Sequence, residues 1–558
     1  MMLRKPFAPD RAAPRGGYVI FAVLIVVVVL SLVAYRFADS MTGEYRAGVR
    51  ANDDAQVKLA AISGLHYAAA VLADRTTFYE ELDGNPFDNA DIFEEFDVPV
   101  AGGPTNASKQ ACFSIRCVAV NDAGAYEQRF GVIDEGGKLN INSLIALDPT
   151  GELLYAALML LPGMTDHPDV ADAIVDWVDA DDTQRASGAE SSYYLSLSPA
   201  YNAKNGPMNS LEELLLVKGM TPYLLYGGDT NRNGIQDDGE TDATRGLSDY
   251  LTVYGRELNV DMTGTARIYL NGEPDTMLQQ LIPAVGEEMA TYIAATKLFT
   301  PKQVTTSTTT VALSGGSGGT TMTVNVSGSS SSSSGGSGGG ASGGSQTMTA
   351  TLDQLKTAVQ TQGELTLWSS KTKIASVMDL IGTQITLPTV PGAPKGTPTY
   401  VAYSPLNDPA KRNDLLAKLM DKTTATKPIE MVPRLNVNTA PRTVLMSLPG
   451  MTDATADAII AQRAAQVPTD PATVSGAWLV TTPGLLTTAQ YKLIEKYVTG
   501  SSMVYRVQSI GYYKGATTGP QARMEAVIDT NQGAPRFLFV RDLADLENPR
   551  GFQPNAQP

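Results

Sequence analysis

The sequence predicts an α+β protein on a membrane stalk: one N-terminal transmembrane helix, then a head of helix and antiparallel strands that a large helical region interrupts. Three observations predict it. Eighteen uncharged, mostly apolar residues run from Tyr18 to Tyr35; strand-like alternation marks Cys112 to Val132 and returns between Met503 and Val540; apolar residues recur at helical spacing from Leu139 to Tyr226. The strands are early and late, and the helices lie between them.

The stalk comes first. At 1.5 Å of rise per residue the apolar run spans roughly 27 Å as a helix, enough for the hydrocarbon core of a bilayer. Arg4, Lys5, Arg11 and Arg15 precede it against one acid, Asp10, so the positive-inside rule keeps the leader cytoplasmic and puts the long C-terminal part across the membrane. A secretory signal peptide shares the basic leader and apolar run. No small-x-small cleavage site closes the run, however, and it continues through Arg36, Asp39, Glu44 and Arg46 into a helix-compatible stretch reaching about Ala73. Gly17 at the cytoplasmic boundary, followed by aromatic Tyr18 and an unbroken amphipathic helix, resembles the N-terminus of type IV pilin-like proteins. In that family a prepilin peptidase cuts after the glycine, which here leaves Tyr18 as the first residue. The fifth mature residue is then Ala22, where most pilin-like subunits carry a glutamate that neutralises a neighbour's terminal amine. An ionisable group at membrane depth is retained only with a partner. A subunit without it is suited to lead a filament, a departure that matches the minor pseudopilin K of type II secretion systems.

Composition agrees with an exported, multidomain protein. The chain has 558 residues, 43% of them hydrophobic, and a net charge of −16, which becomes −19 without the leader's four bases and one acid. That balance disfavours phosphate-rich partners, and no nucleic-acid partner is expected. The two cysteines, Cys112 and Cys117, stand five apart beside strand-like residues, and are read either as a disulfide closing a small hairpin loop or as two reduced, buried thiols. With only His66 and His167 in the chain, and neither near the cysteines, a zinc site is excluded. The scarcity of histidine, and of any phosphate-cradling glycine loop, also argues against an enzyme.

After the stalk, Thr76 to Val100 is acidic and aromatic and Ala101 to Ser108 is rich in turn residues. Phe113-Ser-Ile-Arg and Tyr126-Glu-Gln-Arg-Phe then suggest two strands. Further on, Leu153, Ala156, Ala157, Leu160 and Leu161 share one helical face, and Ile174, Val175 and Val178 another. Thr305 to Gln346 is a Ser/Gly-rich stretch with too little apolar surface to offset its chain entropy, and reads as a flexible connector. Within it, Gly315-Gly-Ser-Gly-Gly319 matches a nucleophile-elbow pattern by composition alone.

A repeat flanks this stretch. Leu139-Asn-Ile-Asn142, Leu161-Pro-Gly-Met-Thr-Asp166 and Ala171-Asp-Ala-Ile174 recur as Leu435-Asn-Val-Asn438, Leu448-Pro-Gly-Met-Thr-Asp453 and Ala456-Asp-Ala-Ile459, and Leu258-Asn-Val-Asp261 is a third partial copy. The pattern predicts a helix ending at Leu-Pro-Gly, a tight turn, and a second helix capped by Thr165 or Thr452, a helix-hairpin-helix unit. Such hairpins often grip DNA phosphates. Here Asp166, Asp169, Asp172 and Asp176 in one copy, and Asp453 and Asp457 in the other, stand where a phosphate binder favours bases.

Two acidic segments predict calcium. Asp229-Thr-Asn231-Arg-Asn233-Gly-Ile235-Gln-Asp237-Asp-Gly-Glu240 follows the twelve-residue EF-hand register, with side-chain oxygens from Asp229, Asn231, Asn233, Asp237 and Glu240 and the Ile235 carbonyl. Its flanks are not EF-like, so the loop reads as structural rather than a sensor. The second, weaker segment is Asp176-Trp-Val-Asp179-Ala-Asp181-Asp182 with Glu190, four aspartates in seven residues that repel one another unless solvated or metal-bound, with Asp179, Asp181, Asp182 and Glu190 as the candidate ligands.

Taken together, Phe130-Gly-Val-Ile-Asp-Glu-Gly-Gly-Lys-Leu-Asn-Ile-Asn142, Ile174-Val-Asp-Trp-Val-Asp-Ala-Asp-Asp182, Gly188-Ala-Glu-Ser-Ser-Tyr-Tyr194 and Asn209-Ser-Leu-Glu-Glu-Leu214 resemble the type II secretion pseudopilin K family. The resemblance implies a pilin-like α/β head interrupted by a large helical, SAM-like domain, calcium in that domain, and a non-enzymatic place at the pseudopilus tip with minor pseudopilins I and J. It implies single-pass anchorage in the inner membrane with the head in the periplasm. A DNA-uptake or pilus-like minor pilin is the alternative. The expected divisions are leader 1–17, stalk helix 18–75, first head part 76–138, helical domain 139–300, connector 301–350, second helical part 351–465 and a C-terminal part 466–558 completing the head.

Overall fold

The computed structural model describes residues 16–99, 110–120, 126–229, 232, 245–304, 347–366, 372–388, 397–515, 519–531, 533–544 and 546. Helix α1 (Gly16–Ala73) is continuous from the apolar run into the head. Its second half turns Val57, Ala60, Ala61, Leu65, Ala68, Ala69 and Leu72 inward, the 3–4 spacing of one helical face. These residues pack on an antiparallel sheet.

The sheet has seven strands. Early strands β1 (Phe96–Asp97), β2 (Ala111–Val120), β3 (Tyr126–Arg129) and β4 (Ile133–Asp134) combine with late strands β5 (Val504–Tyr513), β6 (Ala522–Asp529) and β7 (Arg536–Asp542), in the order β1-β2-β5-β6-β7, with β3 also on β2 and β4 on β5. The register sets Gly511 opposite Phe113 and Val504 opposite Asp529. All the strands read from the sequence are present, and the helical region is an insertion between β4 and β5.

Helix and sheet approach most closely at two glycines. A Cβ on Gly511 would overlap the Val57 carbonyl and sit 2.6 Å from the Ala61 nitrogen, and one on Gly64 would collide with Ser509 and lie 2.8 Å from Phe113. We expect Gly511→Val to lower the denaturation free energy by about 3 kcal/mol, the upper part of the range for overpacking against backbone that cannot give. Denaturant titration of the detergent-solubilised chain measures it, and a wild-type midpoint would contradict the packing.

The insertion is three consecutive units, each opened by one of the Leu-Asn repeats. Leu139–Asn140 pairs in parallel with Leu251–Thr252, and Leu435–Asn436 does the same with Val498–Thr499. Between them, Glu257–Leu258 pairs with Glu430–Met431 and Ile268–Tyr269 with Thr423–Thr424. The fourth repeat residue clasps each unit shut: Asn142 donates to the Met208 and Val253 carbonyls (2.9 and 3.2 Å), Asn438 to those of Thr473 and Gly500 (3.0 and 2.7 Å), and Asp261 accepts from Lys422 (2.8 Å).

In the first unit, α2 (Glu152–Met159) packs on α3 (Pro168–Val178); in the last, α4 (Arg442–Met446) packs on α5 (Asp453–Arg463). Leu-Pro-Gly lies between the helices of each pair, with positive φ at Gly163 and Gly450. Thr452 caps α5 by accepting from the Thr455 amide (3.3 Å). Thr165 does not cap α3, because two extra residues and Pro168 delay that helix, whose first position suits proline's fixed φ.

Three expectations are corrected here. Cys112 and Cys117 are both free and buried on β2, five residues apart along one extended strand. That separation is roughly 16 Å, beyond the reach of a disulfide, and an odd spacing sends the two thiols to opposite faces. Residues 466–499 belong to the last helical unit, through the pairing of Val498–Thr499, and not to the head. The Ser/Gly stretch does not join two domains either. Lys302–Gln303 before it and Thr347–Thr349 after it form opposite edges of one four-stranded sheet in the middle unit. Its residues 305–346, with the Gly315–Gly319 pattern, lie outside the described residues. Since three strand spacings, roughly 14 Å, separate its ends, a bridge of about six Gly and Ser residues in place of 307–344 spans the gap. Each halving of a loop is worth about 0.6 kcal/mol, so we expect an unchanged or slightly raised thermal midpoint; a destabilised protein would show that the stretch contributes to the core.

Candidate functional site

Two regions carry chemistry or placement: the stalk, and the acidic end of α3. From Tyr18 to Tyr35 the stalk leaves nearly all its large apolar side chains exposed, while its second half is buried in the head. Among the described residues this is the one helix long and apolar enough to cross a membrane. Gly17 and Tyr18 lie in its first turns, and Ala22 follows within the apolar run. The leader before Gly16 lies outside the described residues.

Helix α3 ends at Val178, and the chain then loops back so that Asp179, Asp181 and Glu190 each bring a carboxylate oxygen within 4.8 Å of the others. Glu190 is only 3% exposed, and neither of its oxygens has a hydrogen-bond partner; one Asp179 oxygen is likewise buried and unpartnered. Burial, with Asp181 and Asp176 adding repulsion, pushes the Asp179 carboxyl up to about 6. Burial, with Asp176, Asp179 and Asp182 nearby, pushes Glu190 up to about 7. Converging carboxylate oxygens, with those of Asp179 and Glu190 buried and short of donors, are a donor set a hard cation takes, so these residues fit calcium; Asp181 is exposed and also accepts from the Thr183 amide (2.7 Å). Asp182 lies outside this trio, its carboxylate accepting from Asn205 Nδ2 (2.8 Å).

Arg185, which the sequence did not single out, holds this loop together with Asp172 and Asp176. Arg185 donates to Asp172 (2.9 Å) and to Glu152 (3.0 Å), while its backbone amide donates to Asp176 (3.2 Å). Gly188 sits where any side chain would run into the Asp176 carboxylate. Only the i, i+4 spacing of Asp172 and Asp176 hinted at such a role. Of the other calcium segment, Asp229 is buried, and Asn231, Asn233, Ile235, Asp237 and Glu240 lie outside the described residues. Arg232 pairs with Glu525 on β6 (3.4 Å), and its carbonyl accepts from Arg523 (2.9 Å), so the start of that loop docks on the head.

The same face of the sheet joins head and first unit by buried charge. Arg506 on β5 donates Nε to Glu135 (2.6 Å) and a terminal nitrogen to Glu525, and Lys138 stands 3.6 Å from Glu135. Burial alone would raise the Glu135 carboxyl, but Arg506 and Lys138 outweigh it and hold the group at about 2.

The acids of the second repeat are paired within the protein. Arg442 binds Asp457 (2.6 Å) and Asp453 (2.7 Å), and Arg463 donates to the Ala440 carbonyl (2.7 Å).

Comparison with known proteins places this geometry. Residues 137–226 and, separately, 435–478 match models described as type II secretion system protein K. No curated protein sequence matches the chain. Among solved structures, the GspK-GspI-GspJ complex from the enterotoxigenic Escherichia coli type 2 secretion system is similar at 10% identity, covering 89% of this chain and 99% of that one with a TM-score of 0.34, a level of superposition that carries no argument. The two matched stretches contain the opening Leu-Asn repeats, the acidic end of α3 and both Leu-Pro-Gly turns, and over them the chain is similar to type II secretion system protein K.

Proposed function

We propose that this chain acts at the tip of a type II secretion pseudopilus, initiating the filament and serving protein export without catalysing a reaction. Prepilin peptidase cuts between Gly17 and Tyr18, α1 holds the protein in the inner membrane, and the head and its three inserted units stand in the periplasm against minor pseudopilins I and J. The observation that carries this reading is α1: one unbroken helix, bare and apolar below, packed into the head above, and without a carboxylate at Ala22. A leading subunit has no neighbour ahead whose amine needs a counter-charge. The inserted units add bulk that suits a terminal position. Calcium bound by Asp179, Asp181 and Glu190, and separately by the Asp229–Glu240 loop, braces the first unit. The DNA-uptake alternative finds no support in the last repeat, where Arg442 and Arg463 are engaged within the protein.

N-terminal sequencing of the membrane-extracted protein is expected to begin at Tyr18, and deletion of the gene to reduce pseudopilus assembly and export. A native product starting elsewhere, or export unaffected by the deletion, would overturn the proposal.

A further inference from the structure

The segment after Glu190 is a surface loop whose two ends meet at the acidic cluster. At its start, a single helical turn, Ser191–Tyr194, follows Glu190 directly, and the Glu190 carbonyl accepts from the Tyr193 amide (2.8 Å). At its end, Asn205 takes a positive φ and donates Nδ2 to the Asp181 carbonyl (2.9 Å) and the Asp182 carboxylate (2.8 Å), while its amide donates to the Trp177 carbonyl (3.0 Å). Ser191 Oγ accepts from the Ala203 amide (3.1 Å), tying one end to the other. Between these ties the loop presents Leu195 (54% exposed) and Leu197 (36% exposed) to solvent. One end is therefore covalently next to a cluster carboxylate, and the other is hydrogen-bonded to the backbone and side chain of the cluster's own loop.

We infer that a divalent cation at Asp179, Asp181 and Glu190 is the clasp of the loop 191–205, so that cation occupancy decides whether the two ends of this loop stay closed on the cluster. Without the cation, three carboxylates held within 4.8 Å of one another repel, and the cheapest relief is to move Glu190, which carries the start of the loop with it. The stretch beyond the first turn is less free to follow. Tyr194 stacks on Tyr201 (5.2 Å between ring centres) and both meet Trp177 edge-on, which keeps 194–201 on the core. The opening is therefore local to the base of the loop and leaves the unit folded.

This inference rests on the cation reading of the cluster, and the experiment separates the two. Calcium uptake by the full chain in detergent is measured by equilibrium dialysis, and backbone hydrogen exchange of 191–205 is followed with 1 mM calcium or with chelator, for the wild type, Glu190→Gln and Asn205→Ala. We expect calcium to slow exchange in 191–205 at least tenfold in the wild type, with strands β5 and β6 unchanged. Glu190→Gln should take up one ion fewer and lose the effect. Asn205→Ala should keep the ion but lose protection at the 203–205 end. Equal uptake by wild type and Glu190→Gln overturns the cation reading and the inference with it; a lost ion with no change in exchange of 191–205 overturns the inference alone.

Discussion

Arg506→Met is expected to lower the unfolding free energy by about 3–5 kcal/mol, the cost of leaving buried carboxylates without their cation. Glu135 and Glu525 are almost completely buried, and among the described residues Arg506 is the one cation that bonds both. Lys138 and Arg232 remain nearby but reach only one acid each, at 3.6 and 3.4 Å. The charge cost is the point, rather than the lost contact. A variant that also carries Glu135→Gln and Glu525→Gln should therefore recover a large part of the loss. Denaturant titration of the three proteins in detergent decides it, and a loss under about 1 kcal/mol for Arg506→Met would show that water or the flanking cations take over.

The same network predicts the acid response. Because Glu135 is held at about 2 in the folded protein and titrates at about 4.3 when unfolded, its contribution is fully present above about pH 4.3. It is lost as the pH falls through about 2. Glu135→Gln should accordingly flatten the decline in stability across that window, and an unaltered acid limb would remove Glu135 from the account.

Calcium is expected to give the second large effect. At a concentration a thousandfold above its dissociation constant, a ligand that binds only the folded state stabilises by about 4 kcal/mol. The thermal midpoint of the first unit's transition should therefore rise with calcium and fall with chelator. Glu190→Gln removes a buried, unpartnered carboxylate from the cluster and Glu240→Gln removes the closing acid of the other loop, so the two variants apportion the shift between sites. If neither variant alters the calcium-dependent midpoint, neither segment is a calcium site.

Much of the candidate site was legible because its signals are local. The apolar run, Gly17 and Tyr18 lie within a few turns of one helix, and Asp179, Asp181 and Glu190 belong to one short loop whose charge density is itself the clue. Asp182 stands apart from the converging trio for a related reason: composition counts acids, whereas the direction of each side chain depends on a partner, here Asn205, more than twenty residues on. The cysteines show the same limit, since their spacing allowed a hairpin loop and only the unbroken strand β2 puts them out of reach of each other.

By itself, the sequence determined the stalk, the early and late strands and the repeated Leu-Asn and Leu-Pro-Gly units, because each is written in periodicity or identity over a few dozen residues. Tertiary structure alone decided that the Ser/Gly stretch leaves and rejoins one small sheet, that the repeats open three consecutive units, and that Arg506 locks head to insertion. Those outcomes depend on strands and charges that meet across hundreds of residues. Which partner is found at that distance is settled by burial and register in the folded chain, and no local pattern encodes it.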